Sequence, residues 1–298
     1  MQEVTRHQVG EERIAAALED IRGRAFGRWH GLRYDSLSLK RMREMGGELL
    51  DHAAACTLED PALDAAPARL ALRTAAECSL GVLSLGAFPE GDFEVVLPLV
   101  DQRLSSETFA FGDAVDEAPT ARTWVDAFAM CAITGLLREP ARLVGPLLKE
   151  DYAPAIRDGV PYSRLESVSD PADLAEMDAL CAYLPDLAGT WPRSRIASEP
   201  LVKPAAEARA EAARRLDAAG ALTPDQRLLR VLLDDDRPAF DQALADRLRR
   251  HREEAGPDPE PRSLLPVGAI ALAAVAVQAC GWSLGVRSGY LPEGLLRA

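Results

Sequence analysis

The chain is short of most things an active site is built from. Its four histidines, His7, His30, His52 and His251, include no pair at i, i+4, and there is no HExxH helix. No glycine-rich phosphate loop and no GxSxG elbow occur, which removes the common nucleotide-binding and serine-hydrolase signatures. The five cysteines, Cys56, Cys78, Cys131, Cys181 and Cys280, lie far apart, are odd in number and form no CxxC pair. They read as reduced, mostly buried thiols of a cytoplasmic protein, not as a disulfide or zinc framework. No catalytic residue, metal ion or cofactor is expected. Positive charge is also scarce: 34 Lys and Arg face 47 Asp and Glu, a formal net charge of −13. That argues against nucleic acid as a ligand, because phosphate binding needs a basic excess. It is compatible with a basic protein partner, and equally with a charge that serves solubility alone. No stretch alternates apolar and polar residues for long enough to read as a strand. The N-terminus, MQEVTRHQVGEER, has no apolar core of the kind a secretory leader needs.

What the chain has in quantity is Ala and Leu, both strong helix formers, so the expected class is all-α. From Leu264 to Cys280 only Gln278 is polar, and Gly268, Ala269, Ala271, Ala273, Ala274, Ala276 and Ala279 fill most of the run. A helix with no solvated face has to be enclosed on several sides. The run is short for a membrane span and carries Pro266 in its first turn, so a buried helix is expected, with no membrane partner. Ser263 is placed to cap it and Gly281 to close it.

Upstream, helical spacing runs from Val4 to Phe26, followed by a loop from Trp29 to Ser38. Ser36 or Ser38 opens a second helix to about Cys56. Ala68 to Gly86 is a third, with Arg73, Glu77, Gly81 and Ser84 as a narrow stripe opposite its apolar face. Asp92 is expected to cap a helix through Phe93, Val96, Leu97, Val100 and Leu104, kinked at Pro98. After the loop Ser105–Pro119, Thr120 caps a helix to Leu137, and Ala141–Glu150 forms a short one containing Pro146. Tyr152–Ser169 is the least regular part. Pro171–Leu187, Leu201–Leu216, Asp225–Leu233 and Ala239–His251 are further helices, and Glu254–Pro261 is a linker. The expected organisation is one domain: a cap over 1–60, a helical-hairpin body over 61–255, and the buried helix and tail over 263–298.

Two helices echo each other. Arg73-Thr74 and Glu77 match Arg122-Thr123 and Asp126, 49 positions later, and Pro238 lies 98 positions after Pro140. A period near 49 suggests stacked α-hairpins. A non-repetitive bundle is the alternative. Arg73/Glu77 and Arg122/Asp126 are i, i+4 pairs on apolar helices, readable as structural ion pairs or as the lining of a polar groove. Two acidic patches are candidates for partner contact. One is the loop bearing Asp113, Asp116 and Glu117. The other is Asp234-Asp235-Asp236, at a helix end where negative charge is disfavoured. The plainer reading of the second patch is a solvated turn.

The C-terminal third resembles a known family. Arg227–Leu233 with Asp234-Asp235-Asp236 is followed by Phe240-Asp241-Gln242-Ala243-Leu244 and Leu248 to His251. Then come Leu264-Leu265-Pro266-Val267-Gly268-Ala269-Ile270-Ala271-Leu272-Ala273 and Gly289-Tyr290-Leu291-Pro292. This order is similar to the immunity protein 49 family of bacterial polymorphic-toxin systems, with fainter similarity through the Trp124 helix. The resemblance implies an antitoxin that binds and blocks a cognate toxin, and it carries over no catalytic residues. The charge would suit a basic, nuclease-type toxin. Two other classes remain open on the residues alone: a helical-repeat scaffold without a toxin partner, and an enzyme built on Arg73, Glu77, Arg122 and Asp126.

Overall fold

A computed structural model of the chain describes residues 1–91, 94–107, 115, 117–139, 142–159, 165–186 and 200–298. It is predominantly α-helical, as the composition leads one to expect. Strand β1 (Gln2–Val4) is followed by α1 (Glu11–Leu18), α2 (Ile21–Tyr34), α3 (Leu39–Cys56) and α4 (Ala66–Ala87). The continuous helix expected from Val4 to Phe26 therefore starts only at Glu11 and is broken once, between α1 and α2. At Asp20 the backbone turns left-handed (φ 30°), and its carboxylate accepts the Gly23 N–H to start α2 afresh. The helix then runs on through Trp29 and Leu32, both buried, where a loop was expected. Ser38 caps α3 as the sequence suggests, accepting from the Arg41 N–H.

The expected helix through Val96 and Leu104 is instead a hairpin. Residues 92 and 93 lie outside the described residues, but β2 (Glu94–Leu97) pairs antiparallel with β3 (Gln102–Ser105). Leu97, Val100 and Leu104 fit helical spacing, and Val95 and Leu97 fit alternation equally well, so periodicity could not choose. The backbone chose: Pro98 starts a 3-10 turn, and Asp101 is left-handed (φ 53°), reversing the chain. The hairpin lies against the narrow stripe of α4 opposite its apolar face. The Leu99 N–H donates to Thr74 Oγ1 at 3.0 Å. Gly81 admits Val95, whose Cγ2 would stand 2.9 Å from any added Cβ. Glu77, Gly81 and Ser84 are consequently buried.

Helix α5 (Ala121–Thr134) opens with a capping box between Thr120 and Thr123 and ends at left-handed Gly135. A short α6 (Val144–Pro146) passes through a π turn, Leu147–Tyr152, into α7 (Ala153–Asp158). The 49-residue echo thus holds for α4 and α5 but not for their C-terminal neighbours, a strand hairpin after α4 and a helical run after α5. The remaining helices are α8 (Pro171–Cys181), α9 (Ala206–Ala218), α10 (Pro224–Leu233) and α11 (Arg237–Glu254). A 3-10 turn, Pro261–Leu264, packs on α3 and leads to α12 (Val267–Gln278). The short elements β4 (Val286–Ser288) and α13 (Glu293–Leu296) finish the chain.

Helix α12 is the enclosed helix expected from its composition. Ala269 through Ala276 are all buried, with α5, α10, α11 and α13 around them. Its start differs from expectation. Ser263 is not its cap: the hydroxyl donates to the Glu260 carbonyl at 2.5 Å within the preceding turn, and the helix begins after Pro266. Gly281 does end it, left-handed at φ 68°, with the Trp282 N–H returning to the Ala276 carbonyl at 3.2 Å. Two helical stretches, Ala66–Ala87 and Pro261–Gln278, are long and apolar enough to cross a membrane, and most of each is buried inside the fold. A continuous apolar core joins Val4 at one end of the chain to Leu295 at the other. The ends themselves meet, β1 pairing parallel to β4 with Gln2 opposite Val286. Beside that seam His7 bonds Tyr290 Oη (2.6 Å) and Ser263 Oγ (2.8 Å). His52 is buried at the C-terminal end of α3, and its Nδ1–H donates to the Ala17 carbonyl at 3.0 Å.

Candidate functional site

A cleft of about 330 Å3 opens between α3, α4 and α5. Its walls are Met42, Leu50, Val82, Val125 and Met130, its far end is closed by α8 and α10, and the first turn of α12 lines it at Val267 and Gly268. Small residues keep it open: Gly46 and Gly47 on α3, Ala75 and Ser79 on α4, Ala129 on α5.

The charged end of the cleft is assembled from helix first turns. The capping box at Thr120 fixes the start of α5, which sets Arg122 facing α8. Asp170 caps α8 by accepting the Ala172 N–H, which places Asp173 and Glu176 on consecutive turns. Arg122 donates to Asp173 Oδ1 at 2.7 Å and to Glu176. Gln226, the third residue of α10, closes its own capping box by accepting the Thr223 N–H at 2.8 Å. Its amide then donates to Asp173 Oδ1 (2.9 Å) and Glu176 Oε2 (3.1 Å). Next to it Asp225 accepts from Arg247 of α11 at 2.6 Å. Gly268 is what lets α10 approach α12 here, since a Cβ would lie 2.5 Å from Asp225 Oδ2.

Electrostatics at this end favour a further positive charge. Burial pushes Glu176 up to about 7, against the pull of Arg122 and Gln226. Burial alone would lower Arg122, but Glu176 and Asp173 outweigh it and hold the guanidinium charged. Asp126 lies one turn along from Arg122 and is 65% exposed, with Arg122 Nη1 only at 3.9 Å. Desolvation by the surrounding protein, with Asp173 and Asp225 adding to it, raises its carboxyl to about 6 against the pull of Arg122 and Arg43. The water that reaches so exposed a group limits that rise, so its charge is present at neutral pH.

Of the two i, i+4 pairs read from the sequence, Arg122–Asp126 forms as a loose 3.9 Å contact, while Arg73 and Glu77 take other partners. Arg73 bonds Glu139, and the buried Glu77 bonds Arg142, both across to the segment after α5. Burial raises the Glu77 carboxyl, with Arg142 opposing. Arg122–Asp126 is the loose contact described above. The spacing placed these residues on one helix face but could not show that a third element brings closer partners. Nor do the four converge as an enzymatic site would require: Arg122 and Asp126 line the cleft, and Arg73 and Glu77 line two other cavities.

Of the acidic loop, Asp113 and Asp116 lie outside the described residues. Glu117 pairs with Arg43 of α3, itself a cleft residue. In the Asp234–Asp236 run each carboxylate has a partner. Asp234 takes Arg230 at 2.6 Å, and Asp235 takes Lys203 (2.6 Å) and Arg209 (3.1 Å). Asp236 caps α11 by accepting the Ala239 N–H at 3.1 Å. The cost of acids at a helix end is thus offset by three cations and by the next helix's N-terminus. Asp234 and Asp236 remain exposed. Sequence reading missed Glu176, Asp225 and Gln226. The available signal was the Thr223-Pro224-Asp225-Gln226 capping box, which marks a helix start but not what that start faces.

The profile of one protein family, immunity protein 49, matches residues 60–295. The chain belongs to this family. The match extends well beyond the C-terminal third that carried the resemblance, and takes in α4 and α5 but not α3, which supplies the remaining wall of the cleft. No curated protein and no solved structure matches the chain.

Proposed function

We propose that this member of the immunity protein 49 family is the antitoxin of a bacterial polymorphic-toxin pair. It would bind a cognate toxin domain in the cytoplasm and block it by occupying its working surface, acting as a binding protein and not as an enzyme. The observation that carries the reading is the family match over residues 60–295. The net charge of −13 supports a basic toxin, of which a nuclease domain is the natural example. Complementary charge speeds encounter and matches the cationic site of such an enzyme. The partner-facing residues would be the exposed Asp126 in the cleft, the exposed Glu117, and the exposed Asp234 and Asp236 of the Asp234–Asp236 turn, with Asp113 and Asp116 joining them on the strength of the sequence alone.

Co-expression with the toxin gene adjoining this one tests the proposal. Survival of the producing cell together with co-purification of the two chains is the expected result. A toxin that kills equally well with and without this protein, and does not bind it, removes the reading.

A further inference from the structure

We propose that the cleft between α3, α4 and α5 is the seat for one basic side chain, arginine or lysine, projecting from the partner protein, with Asp126 as its counter-charge. This rests on the immunity reading for the identity of the partner, but the seat itself follows from the cleft.

Size comes first. Ligand pockets run from roughly 300 to 1,000 Å3, and this one, at about 330 Å3, is at the lower end. It fits a single long side chain better than a large ligand. Shape agrees. The walls are aliphatic and thioether groups, Met42, Leu50, Val82, Val125 and Met130, and the charges are gathered at one end. A long basic side chain has the same division, an apolar stem and a charged tip.

The sign of the charge follows from which groups are already committed. Both arginines lining the cleft are engaged, Arg122 with Asp173 and Glu176, Arg43 with Glu117. Among the lining carboxylates, Glu176 is held by Arg122 and Gln226, and Asp225 by Arg247. Asp126 alone has nothing nearer than a 3.9 Å contact while standing 65% exposed inside the cleft. The uncommitted charge is therefore negative, and an incoming anion would meet it with no free cation among the described lining residues to offset it. A guanidinium arriving here lays its apolar stem on apolar walls and finds a carboxylate that need not leave a close partner. Docking of the partner over the cleft would take this charge pair out of solvent, and charge pairs desolvated at an interface carry a large share of binding.

The test has two arms. The first needs no toxin: N-acetyl-arginine methylamide is titrated into the full chain by NMR, with N-acetyl-citrulline methylamide as the uncharged isostere. The wild-type chain should bind the arginine compound in preference to the citrulline one, and Asp126→Asn should lose the preference. No arginine binding, or the same preference in Asp126→Asn, overturns the proposal. Because Asp126 makes only a loose contact, the variant should melt with the wild type, and its melting curve is recorded alongside. In the second arm, Asp126→Asn and Asp126→Lys are compared with wild type for affinity to the adjoining toxin. Losses of about tenfold for the first and more for the second are expected, with Asp126→Glu close to wild type. If the wild-type chain does not bind the toxin, the immunity reading fails and the first arm still judges the cleft. If the wild type binds and both variants bind as tightly, the cleft proposal alone fails.

Discussion

Replacing Glu176 by glutamine should stabilise the protein above neutral pH and change little in mild acid. The side chain is 3% exposed and bonds Arg122 and Gln226. Burial penalises its charge by more than those partners relieve, so it titrates near 7 when folded and near the ordinary 4.5 when unfolded. Between those two values the folded protein holds a proton that the unfolded chain has released. Its contribution to stability is therefore complete below the lower value and lost as pH rises through the upper one. At about 1.4 kcal/mol per pH unit, the swing is on the order of 3 kcal/mol. Glutamine keeps the shape and an oxygen that can accept from Arg122 and Gln226, but it does not titrate. Asp173, 2.7 Å from Arg122, still balances the guanidinium. The stability of Glu176→Gln minus that of wild type should therefore grow by about 3 kcal/mol between about pH 5 and pH 8. Urea denaturation of both proteins across that range measures it, and the subtraction cancels the titration of distant groups. Curves that stay parallel would refute the reasoning, because they would mean that Glu176 remains ionised throughout.

Three further outcomes are expected from the packing. Gly268→Ala should cost about 1–3 kcal/mol despite the better helix propensity of alanine, because its Cβ meets Asp225 Oδ2 at 2.5 Å. Combining it with Asp225→Ala should recover part of the loss in chemical melts, and strictly additive losses would count against this cause. Ala273→Leu in α12, where the native side chain is 0% exposed, should destabilise by about 1–3 kcal/mol through overpacking, and an unchanged thermal midpoint would show that the helix is not enclosed. The seam between the chain ends should weaken in acid. Burial, His251 and Arg6 lower His7, and burial lowers His251 with Arg247 adding to it, against the Ser263 carbonyl, Asp225 and Glu254. Two histidines lowered from 6.5 give stability that is present above that pH and lost below it. Protection factors for the amides of Gln2–Val4 should drop first as the pH falls, and uniform loss across the fold would contradict a local seam.

The elements that could be read in advance are those whose signal is local. Helix α4, α5 and α12 carry apolar residues on nearly every turn, and Ser38, Thr120 and Gly281 mark ends by chemistry that acts within a few residues. The hairpin β2–β3 was missed because Val95 to Leu104 satisfies both periods, and the choice fell to Pro98 and Asp101 and to the groove that Gly81 leaves on α4. Pairing of β1 with β4 was not legible at all. Strands of three residues have no period, and their partners stand at opposite ends of the chain. The candidate site shows the same division. Arg122 and Asp126 were found by spacing, whereas Glu176, Gln226 and Asp225 reach them from other helices.

The sequence by itself determined that the protein is helical, that an alanine-rich helix near its C-terminus is enclosed, and that its surface is acidic. Each of these follows from composition or from spacing along one helix, which tertiary contacts rarely reverse. Only the tertiary structure decided which charges pair. Ion pairing depends on distances of a few ångströms between elements far apart in the chain, so Arg73 and Glu77 found Glu139 and Arg142 instead of each other, and Asp126 was left without a close partner in an open cleft.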